Sequence, residues 1–258
     1  MIDIHCHILP GLDDGPARME ESIEMAKNAV ENGISTILAT PHYNRRFINT
    51  KNEIIAKTEE LNRTLKDMNI PLCVLSGQEI RLFGEMLETY DKDELLSVNN
   101  NGNYIFVEFP ANHVPNYAER LFFDSQLKGL TPVIVHPERN SYFMEQPDAL
   151  FNFVKNGTLT QVTASSYIGR SGRKVKSFTQ KIIESNLTHF IASDAHDTVK
   201  RPFALREAYE QVQKEYGTHL RYFFEENARL LTVGDSVMKE EPNNIMNQTF
   251  FSKIINRF

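Results

Sequence analysis

The sequence has few cysteines, no long apolar run and no excess of basic charge. Its 258 residues include only Cys6 and Cys73, so a disulfide framework is excluded, and a chain of this length needs none. No apolar stretch approaches the roughly 20 residues of a membrane-spanning helix, so we expect no integral membrane segment. The formal net charge of -6, without a stripe of lysine and arginine, argues against nucleic-acid binding. The first residues, MIDIHCH, lack the features of a signal peptide, so we expect a cytoplasmic protein.

The composition is that of a folded chain with a full core. The sequence is 41% hydrophobic and 24% charged, and its length fits one large α/β domain or two small ones. We find no internal repeat and no low-complexity tract. The expected organisation is a barrel over residues 1–233, followed by a linker and tail over residues 234–258. The tail ends in IMNQTFFSKIINRF, and we expect it to dock on its own barrel or on a neighbouring subunit.

Short apolar runs alternate with longer stretches of helical period. Seven runs rich in β-branched residues predict strands, at residues 2–5, 34–40, 72–77, 104–109, 132–136, 159–164 and 189–193. Apolar stripes that predict helices lie at Ile54, Thr58, Leu61, Leu65 and Met68, and at Val175, Phe178, Ile182 and Ile183. Gly33, Gly129 and Gly157 each end a periodic stretch just before a strand, as glycines do after helices. This alternation predicts an α/β fold with parallel strands and crossover helices.

Side chains that can bind a metal ion lie at or just beyond the ends of six of these runs. They are His5, His7, either Asp13 or Asp14, His42, Glu79, Glu108, His136, Asp194 and His196. The carboxyl ends of parallel strands meet at one face of a barrel, so we expect these side chains to converge there. His5 and His7 are two residues apart on a strand and point to the same side, while Cys6 points away. The sixth run, TLTQVTASS, offers no strong ligand.

Each of these residues alone has an ordinary structural explanation. A histidine at a strand end is commonly a hydrogen-bonded core residue, and Asp194 before His196 could form a turn and cap a helix. The whole set is harder to explain, because so many charged and imidazole groups at one face are unfavourable unless cations organise them. Nine ligands are too many for one tetrahedral ion and suit two or three ions bridged by carboxylates such as Glu108. Imidazole and carboxylate ligands without thiolate favour Mn, Fe or Zn.

Several short segments carry a resemblance to a known family. DIHCH, ATPH, GQEIR, EFP, HPERN and SDAH resemble the PHP superfamily, in particular its capsule-locus branch of manganese-dependent tyrosine-protein phosphatases of the CpsB, CapC and YwqE type. The resemblance extends from Met1 to about Leu231. It implies a distorted TIM-like (β/α)7 barrel of the PHP type, and it selects Asp14 over Asp13. The implied metals are two or three divalent ions, manganese first, with Fe, Zn or Mg as alternatives. The implied ligands are His5, His7, Asp14, His42, Glu79, Glu108, His136, Asp194 and His196.

The resemblance also implies two catalytic arginines that bind phosphate. One is Arg139 in HPERN, whose planar guanidinium can pair two phosphate oxygens at once; a salt bridge to Glu138 is the alternative for this side chain. The second is Arg201 after SDAH, with Arg206 as a nearby competitor. Four loop aromatic residues could stack on a phenyl ring or pack in the core: Tyr43, Phe47, Phe109 and Tyr117.

The function implied is a metal-dependent phosphomonoesterase that removes phosphate from protein phosphotyrosine. By resemblance, the partner is a bacterial tyrosine kinase with a tyrosine-rich tail that controls capsule or exopolysaccharide synthesis, and an oligomeric phosphatase would suit such a tail. The alternatives are a small-molecule phosphatase such as histidinol-phosphate phosphatase, a nuclease, and a metal-stabilised binding module. A cysteine phosphatase is excluded, because Leu12 and Glu79 stand where the arginine six residues after Cys6 or Cys73 would be.

Overall fold

The structure, a computed structural model, describes residues 1–245, and strands alternate with helices along them. The strands are β1 (Ile2–Cys6), β2 (Thr36–Ala39), β3 (His42–Tyr43), β4 (Cys73–Ser76), β5 (Glu79–Arg81), β6 (Tyr104–Glu108), β7 (Thr131–Val135), β8 (Leu159–Thr163) and β9 (Phe190–Ala192). The helices are α1 (Met19–Glu31), α2 (Lys51–Asp67), α3 (Met86–Asp91), α4 (Ala118–Leu127), α5 (Ser141–Glu145), α6 (Pro147–Lys155), α7 (Ala164–Ile168), α8 (Arg173–Glu184), α9 (Leu205–Tyr216) and α10 (Thr218–Val233).

The strands form two parallel sheets that meet in a barrel-like arrangement. Their orders are β1-β2-β4 and β3-β5-β6-β7-β8-β9, and every pair is parallel. Beyond the end of β9, the Asp194 N–H donates to the His5 carbonyl at 2.8 Å, and the His7 N–H donates to the Ala195 carbonyl at 2.9 Å. These bonds join β9 to β1. The predicted α/β fold with parallel strands and crossover helices is confirmed.

Two short strands were not predicted, and each follows one of the seven predicted runs. β3 lies after the second run, which contains β2, and β5 lies after the third run, which contains β4. The Thr40 N–H still donates to the Cys6 carbonyl at 2.9 Å, but Pro41 has no N–H and cannot extend this ladder. The chain after Pro41 pairs with β5 instead, so that His42 stands beside Glu79 in the register. His42 thus follows the second strand, as predicted, but begins a short strand of its own, and Glu79 begins β5 rather than ending the third predicted strand.

The predicted helix patterns agree with the burial of their side chains. On α2, Ile54, Thr58, Leu61 and Leu65 are buried, whereas Met68 lies beyond the helix end and is 46% exposed. The second predicted stripe lies on α8, where Phe178, Ile182 and Ile183 are buried and Val175 is partly buried. The glycines predicted to follow helices have φ angles of +78° at Gly33, +78° at Gly129 and +93° at Gly157, as left-handed helix ends require.

An inner core joins the parallel strands to α10 and to the segment after it. It consists of Ile4, Leu38, Val98, Tyr104, Phe106, Val133, Val135, Leu159, Phe190, Ala192, Ala228, Leu231 and Val237. A register shift between Asp3 and Cys6 changes the face that β1 presents, as β-bulges do near functional sites. Ile4 thus belongs to the inner core. The next residue, His5, also turns inward, and its ring centroid lies 6.0 Å from that of Phe106.

The segment after α10 packs against the barrel as far as it is described. The Met238 N–H donates to Asn227 Oδ1 at 2.7 Å, and the Asn243 N–H donates to the Ser185 carbonyl at 2.8 Å. Val237 and Ile245 are buried. The division at residues 233 and 234 stays a prediction, and most of the predicted tail, residues 246–258, lies outside the described residues. Across residues 1–245, every helix is too short or too polar to cross a membrane.

Candidate metal centre

All nine predicted ligand side chains come together at the carboxyl ends of the strands. Their ligand atoms form four groups, each within 4.8 Å: His7, Asp14, His42 and His196; His5, Glu79 and His136; His5, His7 and Asp194; and His42, Glu79 and Glu108. His5, His7, His42 and Glu79 each belong to two groups, so the four groups form one continuous cluster. We call these nine residues the ligand cluster.

Glu79 lies at the centre of the ligand cluster. Its Oε1 is 2.6 Å from His136 Nε2, and its Oε2 is 3.5 Å from His5 Nε2, 3.3 Å from His7 Nε2 and 2.8 Å from His42 Nδ1. Glu79 Oε2 and His42 Nδ1 are nevertheless both buried without a hydrogen-bond partner among the described atoms. They are close together but not oriented toward each other as donor and acceptor. This is the arrangement expected of two ligands whose lone pairs point at a common third position.

Other buried atoms of the cluster fit divalent ions in the same way. Glu108 Oε2 and His196 Nε2 are also buried without a hydrogen bond of suitable geometry within residues 1–245, although buried polar atoms are almost always paired. Their charged neighbours are Arg81 Nε, 2.9 Å from Glu108 Oε2, and Asp14 Oδ1, 3.4 Å from His196 Nε2. His5 Nε2 and His7 Nε2 face each other at 3.3 Å. Two imidazole nitrogens bound to one ion at about 2.1 Å in tetrahedral geometry lie about 3.4 Å apart. The donor set and its spacing therefore fit metal ions.

The charges of the cluster compensate one another only in part. Burial favours the neutral acid, but the His5, His136 and His42 imidazoles hold the pKa of Glu79 well below its usual range. Burial and the negative charge of Glu79 together raise the pKa of Glu108. The Glu108 carboxylate is thus the one that its own neighbours stabilise least. A cation between Glu79 and Glu108 would remove this repulsion.

An unusual backbone conformation sets the direction of two ligand side chains. His136 has a φ of +37° and Asp194 a φ of +55°, and residues other than glycine rarely adopt this left-handed region. Each lies just after a strand, His136 after β7 and Asp194 after β9, where the chain turns away from the barrel. Strain of this kind costs on the order of 1–3 kcal/mol per residue and persists where the surrounding structure fixes it.

The loop after β1 separates the roles of Asp13 and Asp14, which sequence reasoning alone had left open. Asp14 Oδ1 faces His42 Nε2 at 3.3 Å and His196 Nε2 at 3.4 Å, so Asp14 belongs to the ligand cluster. Asp13 Oδ2 instead accepts a bond from His7 Nδ1 at 2.6 Å, on the ring edge away from the cluster. The loop lies against β1 so closely that a Cβ on Gly15 would be 2.3 Å from the His7 carbonyl oxygen.

Two residues that were not predicted from the sequence hold cluster members in place. Gln161 of β8 accepts a bond from His5 Nδ1 at 2.8 Å, so this strand contributes although it offers no strong ligand. Arg81 of β5 places its Nε 2.9 Å from Glu108 Oε2, and its Nη1 donates to the Phe109 carbonyl at 3.2 Å. Arg81 was present in the GQEIR segment, but its position after Glu79 did not indicate that it would reach the neighbouring strand.

Two arginine side chains contact the same carboxylate oxygen of Asp194. Arg139 Nη1 lies 2.6 Å and Arg201 Nη2 lies 3.0 Å from Asp194 Oδ2. The alternative partner of Arg139, Glu138, instead accepts bonds from the Thr163 N–H at 3.0 Å and hydroxyl at 2.9 Å. Arg206 lies elsewhere, since its Nε donates to the Asn32 carbonyl at 3.0 Å. Of the two competing arginines, only Arg201 is therefore next to the ligand cluster.

Comparison with known proteins places the chain in a family. Residues 1–232 match the family model described as capsular polysaccharide synthesis, CpsB/CapC. The chain belongs to the CpsB/CapC family. It is 46% identical over 254 residues to the tyrosine-protein phosphatase YwqE of Bacillus subtilis (strain 168), covering 97% of this chain and 99% of the relative. It is 36% identical over 244 residues to the putative tyrosine-protein phosphatase CapC of Staphylococcus aureus, covering 94% and 95%.

A solved structure agrees with this CpsB/CapC assignment. The match is a chain from the crystal structures of YwqE from Bacillus subtilis and CpsB from Streptococcus pneumoniae, described as unique metal-dependent tyrosine phosphatases. It superposes with a TM-score of 0.92 at 46% identity and covers 95% of this chain and 99% of that one. The resemblance inferred from the short sequence segments is confirmed.

In this CpsB/CapC-family chain a cavity of about 230 Å³ opens over the ligand cluster, between Glu108, His136, Arg139 and Arg201. The four candidate aromatic residues lie at different places around it. Phe109 lines the cavity but is 5% exposed and packs edge-on against three core phenylalanines. Phe47 stacks on the His42 ring at 6.1 Å, while Tyr43 and Tyr117 line a separate groove.

Proposed function

We propose that this chain is a metal-dependent phosphatase that removes phosphate from protein phosphotyrosine in capsule or exopolysaccharide synthesis. The observation that carries the proposal is the ligand cluster with Arg139 and Arg201 at its edge, under one open cavity. Relatives that match almost the whole chain bear the name tyrosine-protein phosphatase, which supports the substrate class. The proposed protein substrate is the tyrosine-rich tail of a bacterial tyrosine kinase.

The ligand cluster is the proposed site of two or three divalent ions. The ligands are His5, His7, Asp14, His42, Glu79, Glu108, His136, Asp194 and His196. Manganese is the proposed metal, with Fe, Zn or Mg as alternatives, because the donors are imidazole and carboxylate without thiolate. When bound, such ions lower the pKa of water toward about 7 and polarise phosphoryl oxygens.

The residues around the ligands orient them. Asp13 accepts the Nδ1 proton of His7, and Gln161 accepts the Nδ1 proton of His5. Each bond leaves the Nε2 lone pair of its ring facing the cluster, as a ligand nitrogen requires. Arg139 also donates to the Thr163 hydroxyl at 3.1 Å, so its guanidinium is held from two sides.

The two arginines are the proposed phosphate-binding groups. Asp194 accepts from both of them through one oxygen, so their guanidinium groups lie side by side at the cavity wall. Charge builds on the equatorial oxygens of a phosphoryl group during in-line displacement, and fixed cations stabilise it. A tyrosyl leaving group has a pKa of about 10 and needs less acid assistance than a serine alkoxide. Arg139 and Arg201 would therefore stabilise the charge on the phosphoryl group, and a tyrosyl leaving group would need no dedicated general acid.

A substrate panel tests the proposal against its alternative. The purified protein is assayed with manganese on a phosphotyrosyl peptide, phosphoserine and histidinol phosphate, and then again after treatment with a chelator; its bound metals are measured directly. We expect the highest kcat/KM on phosphotyrosine and loss of turnover on chelation. A preference for histidinol phosphate would favour the small-molecule phosphatase, which the names of the relatives do not support.

A pair of arginine variants tests the placement of the phosphate-binding groups. Arg201→Gln removes one guanidinium beside Asp194, and we expect kcat/KM to fall about 100-fold, as when one fixed donor to a transition state is removed. Arg206→Gln is the matched control, because this side chain contacts the Asn32 carbonyl instead, and we expect less than a two-fold change. Equal losses in the two variants would contradict the placement.

A further inference from the structure

A second cavity adjoins the one over the ligand cluster. It has a volume of about 240 Å³ and shares Arg139, Asp194 and Arg201 with the first cavity. Its remaining walls are Ser165, Arg170, Ser171, Ser193, Lys200 and Pro202. Asp194 is the only member of the ligand cluster that reaches it. A group bound here would thus lie beside the phosphate-binding arginines but away from the other metal ligands.

The walls of this cavity are strongly cationic. Arg139, Arg170, Lys200 and Arg201 line it, against the single carboxylate of Asp194, which already accepts bonds from two of them. Arg170 pairs with Glu207 on the rim at 2.6 Å, but the two side chains are 48% and 57% exposed, so water and salt weaken this pair. Among the side chains that line the cavity, four are therefore cationic and one is a carboxylate, while Asp14 faces Arg201 from outside it, with Oδ2 3.5 Å from Nη1.

Lys200 is the cation of this cavity whose side chain has no ion pair within residues 1–245, although its charge lowers the pKa of the nearby Asp197. Its backbone N–H donates to Asp197 Oδ1. The same carboxylate oxygen accepts from the N–H groups of Val199 at 2.6 Å and Arg201 at 3.3 Å. The segment that carries Lys200 and Arg201 is thus held in one turn, so both cations stay at the cavity wall.

Hydroxyl groups add hydrogen-bond donors to the cations. Ser171 Oγ accepts a bond from Ser166 Oγ at 3.3 Å, which leaves the Ser171 hydroxyl proton for another acceptor. Ser165 lies on the same wall, and its Oγ is 3.4 Å from Thr163 Oγ1. Cations and hydroxyl donors around a small cavity suit an anion, such as a carboxylate or a phosphoryl group.

We propose that the second cavity is an anion subsite that binds an acidic side chain of the substrate close to the phosphotyrosine. The acidic group is an aspartate or glutamate carboxylate or the phosphoryl group of a second phosphotyrosine. Both cavities share the Arg139 and Arg201 wall, and an extended peptide advances roughly 3.4 Å per residue, so a neighbour one to three residues away reaches the subsite. The inference rests on the proposed function, because it assumes that a phosphotyrosyl peptide occupies the first cavity.

Four phosphotyrosyl peptides of equal length test the subsite with the manganese-loaded enzyme. Their flanking residues are glutamine, glutamate, a second phosphotyrosine or lysine, and p-nitrophenyl phosphate is the substrate without flanking residues. We expect kcat/KM to be about five-fold higher for an acidic peptide than for the glutamine peptide, through a lower KM. The advantage should shrink with added salt, because an exposed charge contact is screened. The glutamate and phosphotyrosine peptides show which acidic group is preferred.

Charge-reversal variants assign the effect to the subsite. Lys200→Glu should abolish the advantage of the acidic peptides and leave the rate on p-nitrophenyl phosphate unchanged. Lys66→Glu is the matched control: this lysine is in the last turn of α2, which leads into the amino end of β4, and the change should leave all ratios as in the wild type. Melting temperatures verify that both variants fold.

The outcomes separate this inference from the proposed function. An acidic preference that Lys200→Glu removes and Lys66→Glu retains supports the subsite. Equal rates on acidic and glutamine peptides, or a preference that survives Lys200→Glu, would overturn it. An equal loss on p-nitrophenyl phosphate in Lys200→Glu would also overturn it, because the change would then act through Arg201. Absence of turnover on every phosphotyrosyl peptide would refute the proposed function instead.

Discussion

Replacing Asp13 with asparagine tests whether a carboxylate outside the ligand cluster controls metal binding. Asp13 Oδ2 lies 2.6 Å from His7 Nδ1 and also accepts from the His42 N–H at 3.0 Å, and the Asp13 side chain is 1% exposed. Burial by itself would raise the pKa of Asp13, but the His7 imidazole has the larger opposite effect. The pKa of Asp13 is therefore below its usual value, and the carboxylate stays ionised. A negative acceptor at this position keeps the proton of His7 on Nδ1 and the lone pair on Nε2.

The Asp13→Asn variant keeps the size of the side chain and removes its charge. An amide can also present N–H groups to Nδ1, which would move the ring proton to Nε2 and block that nitrogen as a ligand. Loss of such a carboxylate partner typically weakens metal binding by about 10- to 100-fold, or about 1.4–2.7 kcal/mol. We therefore expect a weaker manganese affinity of this size, with a smaller change in the stability of the metal-free protein.

The measurement is a chelator competition at stepped free manganese concentrations, with bound metal read by mass spectrometry. Asp67→Asn, at the exposed last residue of α2, is the matched control and should bind manganese like the wild type. Circular dichroism of the metal-free proteins verifies that the variants fold alike. If Asp13→Asn binds manganese as tightly as the Asp67→Asn control, the reasoning about the His7 ring is wrong.

Two further substitutions test the stability of the fold. Burial lowers the pKa of His189 to about 3, from 6.5 when exposed, so the unfolded chain takes up this proton first and stability falls as the pH drops below 6.5. Over the roughly 1.5 pH units from 6.5 to 5, the loss of unfolding free energy is about 2 kcal/mol. The His189→Asn variant can still accept from the Thr160 N–H, and it should lose this pH dependence in urea titrations at pH 7 and pH 5. A stability difference between the two pH values as large as in the wild type would contradict this prediction. Gly15→Ala places a methyl group 2.3 Å from the His7 carbonyl, so we expect a loss of about 1–3 kcal/mol in unfolding free energy together with weaker manganese binding. Gly84→Ala, where a Cβ would meet no atom within 4 Å, is its control, and equal effects of the two changes would refute the argument.

The metal-ligand residues could be predicted from the sequence, because their types and their positions at strand ends depend on short-range patterns. A strand end can be located from an apolar run, and parallel strands place their carboxyl ends at one face. His5, His7 and His136 could be placed in this way without knowledge of the packing. The short strand β3 after Pro41 was missed, because an apolar run does not show which neighbour the chain pairs with next.

The contacts between distant segments could not be predicted. Asp13 and Asp14 are adjacent and chemically identical, and which of them faces His42 and His196 depends on how their loop packs against His7. Gln161 looks like any polar residue within a strand until β8 is placed beside His5.

The sequence by itself determined the alternation of strands and helices, the family, and the set of imidazoles and carboxylates at the strand ends, since each depends on residue type and short-range spacing. Only the tertiary structure decided that Arg201 rather than Arg206 stands beside Asp194, and that a second cationic cavity adjoins the first. The physical reason is that α9 begins at Leu205 and directs Arg206 toward the end of α1, whereas Arg201 precedes the helix in the turn held by Asp197. Such directions follow from how whole elements pack, and no spacing along the chain contains them.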